Sequence, residues 1–164
     1  MILKAFKPSI KELAPFIEEA ISQGKDVRLT VTGYSMYPLL RSGTDDVVLK
    51  KHGELKKYDV VLFKRGDGSY IFHRIIKIKD NVLTIAGDNE TKKETPVMLS
   101  SVIAVMKSFY RSGKKHSTDE LWYKLYSRLW LFIFPLRHIA AKMFHNTAKF
   151  VRKIKGAFCH KKSK

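Results

Sequence analysis

With 164 residues and 45% apolar side chains, the chain has material for one modest hydrophobic core and an appended element, which excludes wholesale disorder and a large multidomain enzyme. Its formal net charge of +17 is uneven: residues 107–164 hold 15 Lys and Arg against Asp119 and Glu120, so the first 106 residues are close to balanced. A single cysteine, Cys159, excludes an internal disulfide and fits a reducing compartment; no Cys/His spacing matches a metal site, so neither a metal nor any other cofactor is expected.

Residues 1–11 carry Lys4, Lys7 and Lys11 and no apolar run, the pattern of neither a secretory leader nor a membrane span. An N-terminal helix is predicted within 1–26. Ser9 and Glu12 are spaced as a capping box, Ile10, Leu13, Ile17 and Ile21 share a face, and Gly24 is a natural stop. Pro15 suits a first turn, which predicts a start near Ala14. Strand-like runs then recur at 27–32, 46–50, 59–65, 70–79, 82–87 and 101–109, with turn residues at Arg65-Gly66-Asp67-Gly68 and Lys79-Asp80-Asn81. Short strands at this spacing predict a mostly-β domain over 27–110, a coiled antiparallel, barrel-like sheet. Residues 111–119 read as a linker because of Arg111-Ser112-Gly113-Lys114-Lys115-His116-Ser117.

Residues 120–164 read as a basic, aromatic, amphipathic helical tail. Asp119 and Glu120 stand where a helix dipole favours acids, and Pro135 predicts a break before a second basic helix over about 136–155. The longest uncharged stretch, 129–136, is far below the roughly 20 residues that cross a bilayer. Trp, Tyr and Phe beside Lys and Arg are the pattern of a helix lying on an anionic membrane surface, here through residues 120–155. Two readings compete with it: packing of the aromatic stripe on the sheet, and binding of single-stranded nucleic acid. The second is disfavoured, since no RNP or helix-turn-helix pattern accompanies the charge. His116, His138, His145 and His160 read as solvent or interface residues.

The chemistry-bearing residues lie in the β region. Ser35 stands in Thr32-Gly33-Tyr34-Ser35-Met36-Tyr37-Pro38, a turn leaving a strand. A serine hydroxyl needs a base to become a nucleophile, and imidazole suits that task near neutrality. His73 lies in the apolar strand Tyr70-Ile71-Phe72-His73-Arg74-Ile75-Ile76, where alternation puts Ile71, His73 and Ile75 on one face and Phe72 and Arg74 on the other. Alone, it would read as a core histidine. Ala86-Gly87-Asp88-Asn89 adds a carboxylate at a strand-to-turn boundary.

Gly33-Tyr34-Ser35-Met36-Tyr37-Pro38-Leu39-Leu40 resembles the Gly-x-Ser-Met-x-Pro-x-Leu box of the signal peptidase I family. Asp59-Val60-Val61-Leu62-Phe63 is similar to that family's Gly-Asp-Val-Val-x-Phe strand. Phe72-His73-Arg74-Ile75 and Gly87-Asp88-Asn89 resemble the branch found in archaea and the endoplasmic reticulum, where His replaces the bacterial Lys. The boxes span 27–106. The chain departs in an extra residue within 42–46, in Tyr58 where Gly is common, and in Gly33 where bacterial members carry a hydroxyl. It also has no hydrophobic helix ahead of the serine.

The resemblance implies a Ser/His endopeptidase that cuts leader-like peptides after small residues. In it Ser35 attacks, His73 moves the proton, and Asp88 orients His73 or supports its loop. Glu94 stands where the family often has a second acid, and Ser35 N–H, Gly33, Met36 and Pro38 form the oxyanion hole and substrate pocket. The expected partner is a peptide or small-protein precursor matured on the cytoplasmic face of the membrane. A non-catalytic peptide-docking protein on the same fold and a self-cleaving repressor type are the alternatives.

Overall fold

The computed structural model describes residues 10–136. Helix α1 (Ile10–Ser22) leads into strands β1 (Val27–Thr30), β2 (Asp46–Lys50), β3 (Val60–Lys64), β4 (Tyr70–Lys79), β5 (Val82–Ala86) and β6 (Glu94–Met98). A 3-10 turn (Leu99–Ser101), β7 (Val102–Arg111), β8 (Lys114–Ser117) and helix α2 (Leu121–Phe132) follow. The strands form one antiparallel sheet in the order β1-β2-β7-β3-β4-β5-β6, with β8 also on β7. It coils without closing, as the mostly-β reading expects.

The sheet is apolar on both faces at its centre. Val60 and Leu62 of β3 point into one core with Ile17 and Ile21 of α1, Val47, Leu49, Met106 and Phe109. Val61 and Phe63 point into the other with Ile75, Leu83, Ile85, Val97 and Val105. A strand buried on both sides reads as a continuous apolar run, which is what 60–63 is.

Three details differ from expectation. Helix α1 begins at Ile10 and carries Pro15 in its interior, because the Ala14, Ile17 and Ile21 face is buried deeply enough to offset one lost backbone bond. Gly24 does end it, with Lys25 N–H returning to the Ala20 carbonyl at 2.9 Å. The cap residue Ser9 lies outside the described residues. The stretch read as a linker contains β8, paired with β7 through a two-residue turn, Ser112-Gly113, in which both residues have positive φ (51° and 79°). That is the turn geometry that matches strand twist, so Ser-Gly was a hairpin signal and not a linker signal. Strand β6 went unrecognised because Pro96 and alternate polar residues hide an edge strand.

Helix α2 starts after Glu120 and stops at Ile133, just ahead of Pro135. The second helix expected over 136–155 lies almost wholly outside the described residues. The inward face of α2 packs on the sheet: Tyr123 joins the first core and Ser127 is buried. Its outward face keeps Leu121, Leu125, Leu129 and Phe132 exposed, 55–76% of each, and Leu136 beyond the helix is exposed as well. Tyr123, Tyr126 and Trp130 turn toward the sheet and the site, and a stripe of Leu121, Leu125, Leu129 and Phe132 at helical spacing faces outward.

Tyr58 has φ of 82°, in the left-handed region that favours glycine. Here the Tyr58 carbonyl accepts from Arg74, and its N–H donates to the Ile75 carbonyl at 2.9 Å.

Candidate active site

The turn that carries Ser35 is anchored from below. Met36, Leu39 and Leu40 are buried in the first core, while Tyr34 and Tyr37 point to solvent. One helical turn forms, with Leu40 N–H on the Met36 carbonyl at 3.0 Å. Gly33 enters it at φ 89°, a conformation that strains any side chain, which accounts for a Gly there. The loop beyond is pinned by buried Asp45, whose carboxylate takes the Arg41 guanidinium at 2.8 Å and the Arg41 N–H at 2.9 Å. Burial works against that charge, but Arg41 outweighs it and holds the Asp45 pKa below the ordinary value.

Ser35 and His73 line one cleft of about 260 Å³, floored by Met36, Val47 and Leu62. Its walls come from two strand segments with a free side. One is β1, the last strand of the sheet. The other is the first half of β4, whose pairing with β5 begins only at Arg74. Gly87 closes over the back. A Cβ there would lie 2.6 Å from the Ser35 carbonyl oxygen and 3.1 Å from His73 Nε2, so only glycine fits. Asn89 N–H donates to the Ser35 carbonyl at 2.7 Å, tying the nucleophile turn to the Gly87-Asp88-Asn89 turn. Among the described residues nothing accepts from the Ser35 N–H, which leaves it available as an oxyanion donor.

The two ring nitrogens of His73 face different groups. Nε2 points toward Gly87 and the Ser35 turn, with a Glu90 carboxylate oxygen 3.5 Å away. Nδ1 lies 2.9 Å from a carboxylate oxygen of Glu94. That contact is off the N–H axis, and neither atom has another well-aligned partner. Catalytic hydrogen bonds are commonly loose before substrate binds. Glu94 is in turn held by Arg65 through both oxygens, at 2.7 and 2.6 Å. Burial pushes the His73 pKa below its ordinary value, opposed in part by Glu90 and Glu94. Burial would raise that of Glu94, but Arg65 and His73 outweigh it and bring it down. A largely neutral imidazole beside an ionised carboxylate is the base-competent state.

Asp88 does not reach His73. Its carboxylate is buried and forks onto Arg74 at 2.7 and 2.8 Å. Register explains the exchange of roles, because residues opposite one another across a pair share a face. Arg74 pairs with Ala86, two residues before Asp88, on the face away from His73. Ile75 pairs with Ile85, and Ile85 with Glu94, which puts Glu94 on the His73 face. Of the two roles expected of Asp88, orientation of His73 is excluded by this geometry and support of the loop is what its contacts do. Glu94, expected only as a second acid, is the carboxylate on the imidazole.

Helix α2 completes the support. Arg74 also donates to Ser127 Oγ at 2.8 Å and to Tyr123 OH at 3.3 Å. Trp130 Nε1 donates to the Asp88 carbonyl at 2.8 Å, and Tyr126 OH to the Asp88 carboxylate at 3.2 Å. The tail helix therefore clasps the turn that holds Ser35 in place. Sequence reading missed Arg65, Gly87, Glu90 and this clasp. Only the Gly87 box and the Trp130 and Tyr126 spacing carried any hint of them.

His73, Glu90 and Glu94 are the one His/carboxylate grouping among the described residues with atoms close enough for a metal ion. One atom of each lies within 4.8 Å of the others, but the nearest carboxylate contacts fall on different ring nitrogens and Arg65 already neutralises Glu94. The donor set fits proton transfer better than coordination.

A family model described as Peptidase S24-like matches residues 4–108, well over half the chain. The chain belongs to the Peptidase S24-like family. No curated protein matches it. Membership supports a serine peptidase-type function. The S24-like region ends within β7, so β8 and α2, which clasps the site, lie beyond the matched residues.

Proposed function

We propose that this S24-like protein is a serine endopeptidase of the signal peptidase type, working with a Ser/His pair. The observation that carries the reading is the division of His73, with Nδ1 on Glu94 and Nε2 toward the Ser35 turn. That is the division of roles in which a carboxylate sets the tautomer and the other nitrogen serves the nucleophile. Ser35 Oγ attacks the scissile carbonyl as its proton passes to His73 Nε2, and the Ser35 N–H stabilises the oxyanion. The proton then goes to the leaving amine, and water hydrolyses the acyl-serine with the same base.

The free sides of β1 and early β4 suit an extended peptide added between them, where main-chain bonds give affinity and alternate side chains enter pockets. The modest cleft suits small residues beside the cut. A leader-bearing peptide or small protein is the substrate class we favour. Incubating such peptides with wild type and Ser35→Ala tests the reading: cleavage by wild type and none by the variant is expected. Cleavage by both, or peptide binding by both with no cleavage, would sink it; the latter favours the docking alternative.

The outward stripe of α2 we assign to an anionic membrane surface, on the cytoplasmic side by its basic surroundings. Among the described residues no helix is long and apolar enough to cross a bilayer. Leu125→Ser/Leu129→Ser is expected to cut co-sedimentation with phosphatidylglycerol vesicles by about tenfold or more, since the apolar face supplies much of the binding. Unchanged co-sedimentation of the variant would remove the assignment.

A further inference from the structure

A second cleft, of about 1030 Å³, opens beside the first. Arg65 lines both, and Glu94 forms part of the wall between them, touching His73 on one side and facing the larger cleft on the other. A chain seated at Ser35 in extended form would continue into this space. Strand β6, the outer strand at this end of the sheet, runs along it from Glu94 to Met98 and offers unpaired main-chain groups, apart from Pro96.

The charge within it is predominantly positive. Of the two acids that line it, Glu18, which accepts from Tyr70 OH at 2.8 Å, keeps its charge, while Glu94 is neutralised by Arg65. The Arg65 charge is balanced by the same contact. Lys51, Lys64 and Lys93 are exposed, and none forms an ion pair among the described residues. Lys64 and Lys93 lie over the Tyr70 and Phe134 rings, 5.5 and 5.3 Å from the centroids, which steadies the side chains without cancelling their charge. Three ammonium groups against the one remaining carboxylate, Glu18, leave an excess of positive charge around a concave space, which concentrates positive potential inside it.

We propose that this cleft binds an acidic segment of the precursor, so that the preferred substrates carry Asp or Glu on one side of the cut. Its place beside the scissile bond rests on the Ser35–His73 reading; its ligand does not. The cleft selects carboxylates by Coulomb attraction to Lys51, Lys64 and Lys93, and β6 holds the main chain extended.

A chain of charge +17 attracts any polyanion, so the test compares equal charge changes at two places. Lys51→Glu/Lys93→Glu alters the cleft, and Lys114→Glu/Lys115→Glu alters the exposed tip of β8 by the same net charge. Binding of a Glu-rich fluorescent peptide and of its Gln-for-Glu counterpart is measured by anisotropy at physiological salt, on full-length protein with Ser35→Ala. The Glu peptide is expected to bind about tenfold tighter than the Gln peptide, with that preference lost in the cleft variant and kept within about twofold in the β8 variant. Equal binding of the two peptides, or equal weakening by the two variants, overturns the proposal. Because binding needs no catalysis, discrimination of the peptides by the Ser35→Ala protein together with no cleavage by the protein with Ser35 intact refutes the peptidase reading alone. Cleavage by the protein with Ser35 intact, without discrimination by the Ser35→Ala protein, refutes the acidic cleft alone.

Discussion

His73→Gln is expected to lower kcat/KM for a cleaved peptide by about 10²–10⁴-fold, the usual worth of a positioned general base. The amide keeps most of the volume of the ring but cannot take the serine proton. Destabilisation of only about 1 kcal/mol is expected, so the loss is not one of folding. In wild type the pH profile carries a sign that can be worked out. Burial lowers the His73 pKa, so the neutral base persists below the ordinary value of 6.5, and the acid limb of kcat/KM falls below that value. The same shift makes folding weaker in acid: the unfolded chain takes up the proton first, and stability drops as pH falls through the ordinary histidine range.

Glu94→Gln separates the carboxylate from the base. It should reduce the plateau by about 10–100-fold, since a misplaced base costs rate even when it is still present. It should also move the acid limb further down, because the charge that supports the imidazolium is gone while Arg65, which opposes it, stays. A limb that moves up, or a plateau that does not change, would show that Glu94 does not act on His73. Activity against pH for the three proteins decides it.

Arg74→Met is expected to cost about 3–5 kcal/mol in urea unfolding, because it strands the Asp88 carboxylate in the interior. The two side chains are 3% and 2% exposed, so neither can turn to water. Arg74 also satisfies the Tyr58 carbonyl, Tyr123 and Ser127, and those groups lose a donor at the same time. Asp88→Asn also leaves a buried charge, that of Arg74, without its counter-ion, but it should cost less, since the amide oxygen still accepts from the guanidinium and the Tyr58 carbonyl, Tyr123 and Ser127 keep their bonds to it. The order of the two losses is the test: equal small losses would mean that water reaches the pair and that the clasp of α2 on the turn is loose.

Much of the candidate site was legible in residues 33–40 and 70–76, where box order and strand alternation singled out Ser35 and His73 and put Arg74 on the opposite face. The assignment of carboxylates was not legible. The Gly87-Asp88-Asn89 turn looks like the partner of His73 because it is a carboxylate in a recognised turn, and Glu94 looks like a surface acid because its strand is short, polar and interrupted by Pro96. The tail was half legible, since its aromatic residues and helical spacing could be read but not which face would be buried.

The sequence by itself determined the mostly-β class, six of the eight strands, the Ser35 turn and the face of β4 that carries His73. These follow from local periodicity and turn chemistry, which act over a few residues. Only the tertiary structure decided that Glu94 meets His73, that Asp88 meets Arg74, and that α2 clasps the turn between them. Those pairings depend on register across β4, β5 and β6, and irregularities between Ile75 and Lys77 and between Leu83 and Ile85 shift that register. A shift of one residue exchanges the two faces of a strand, and no local signal in the chain specifies it.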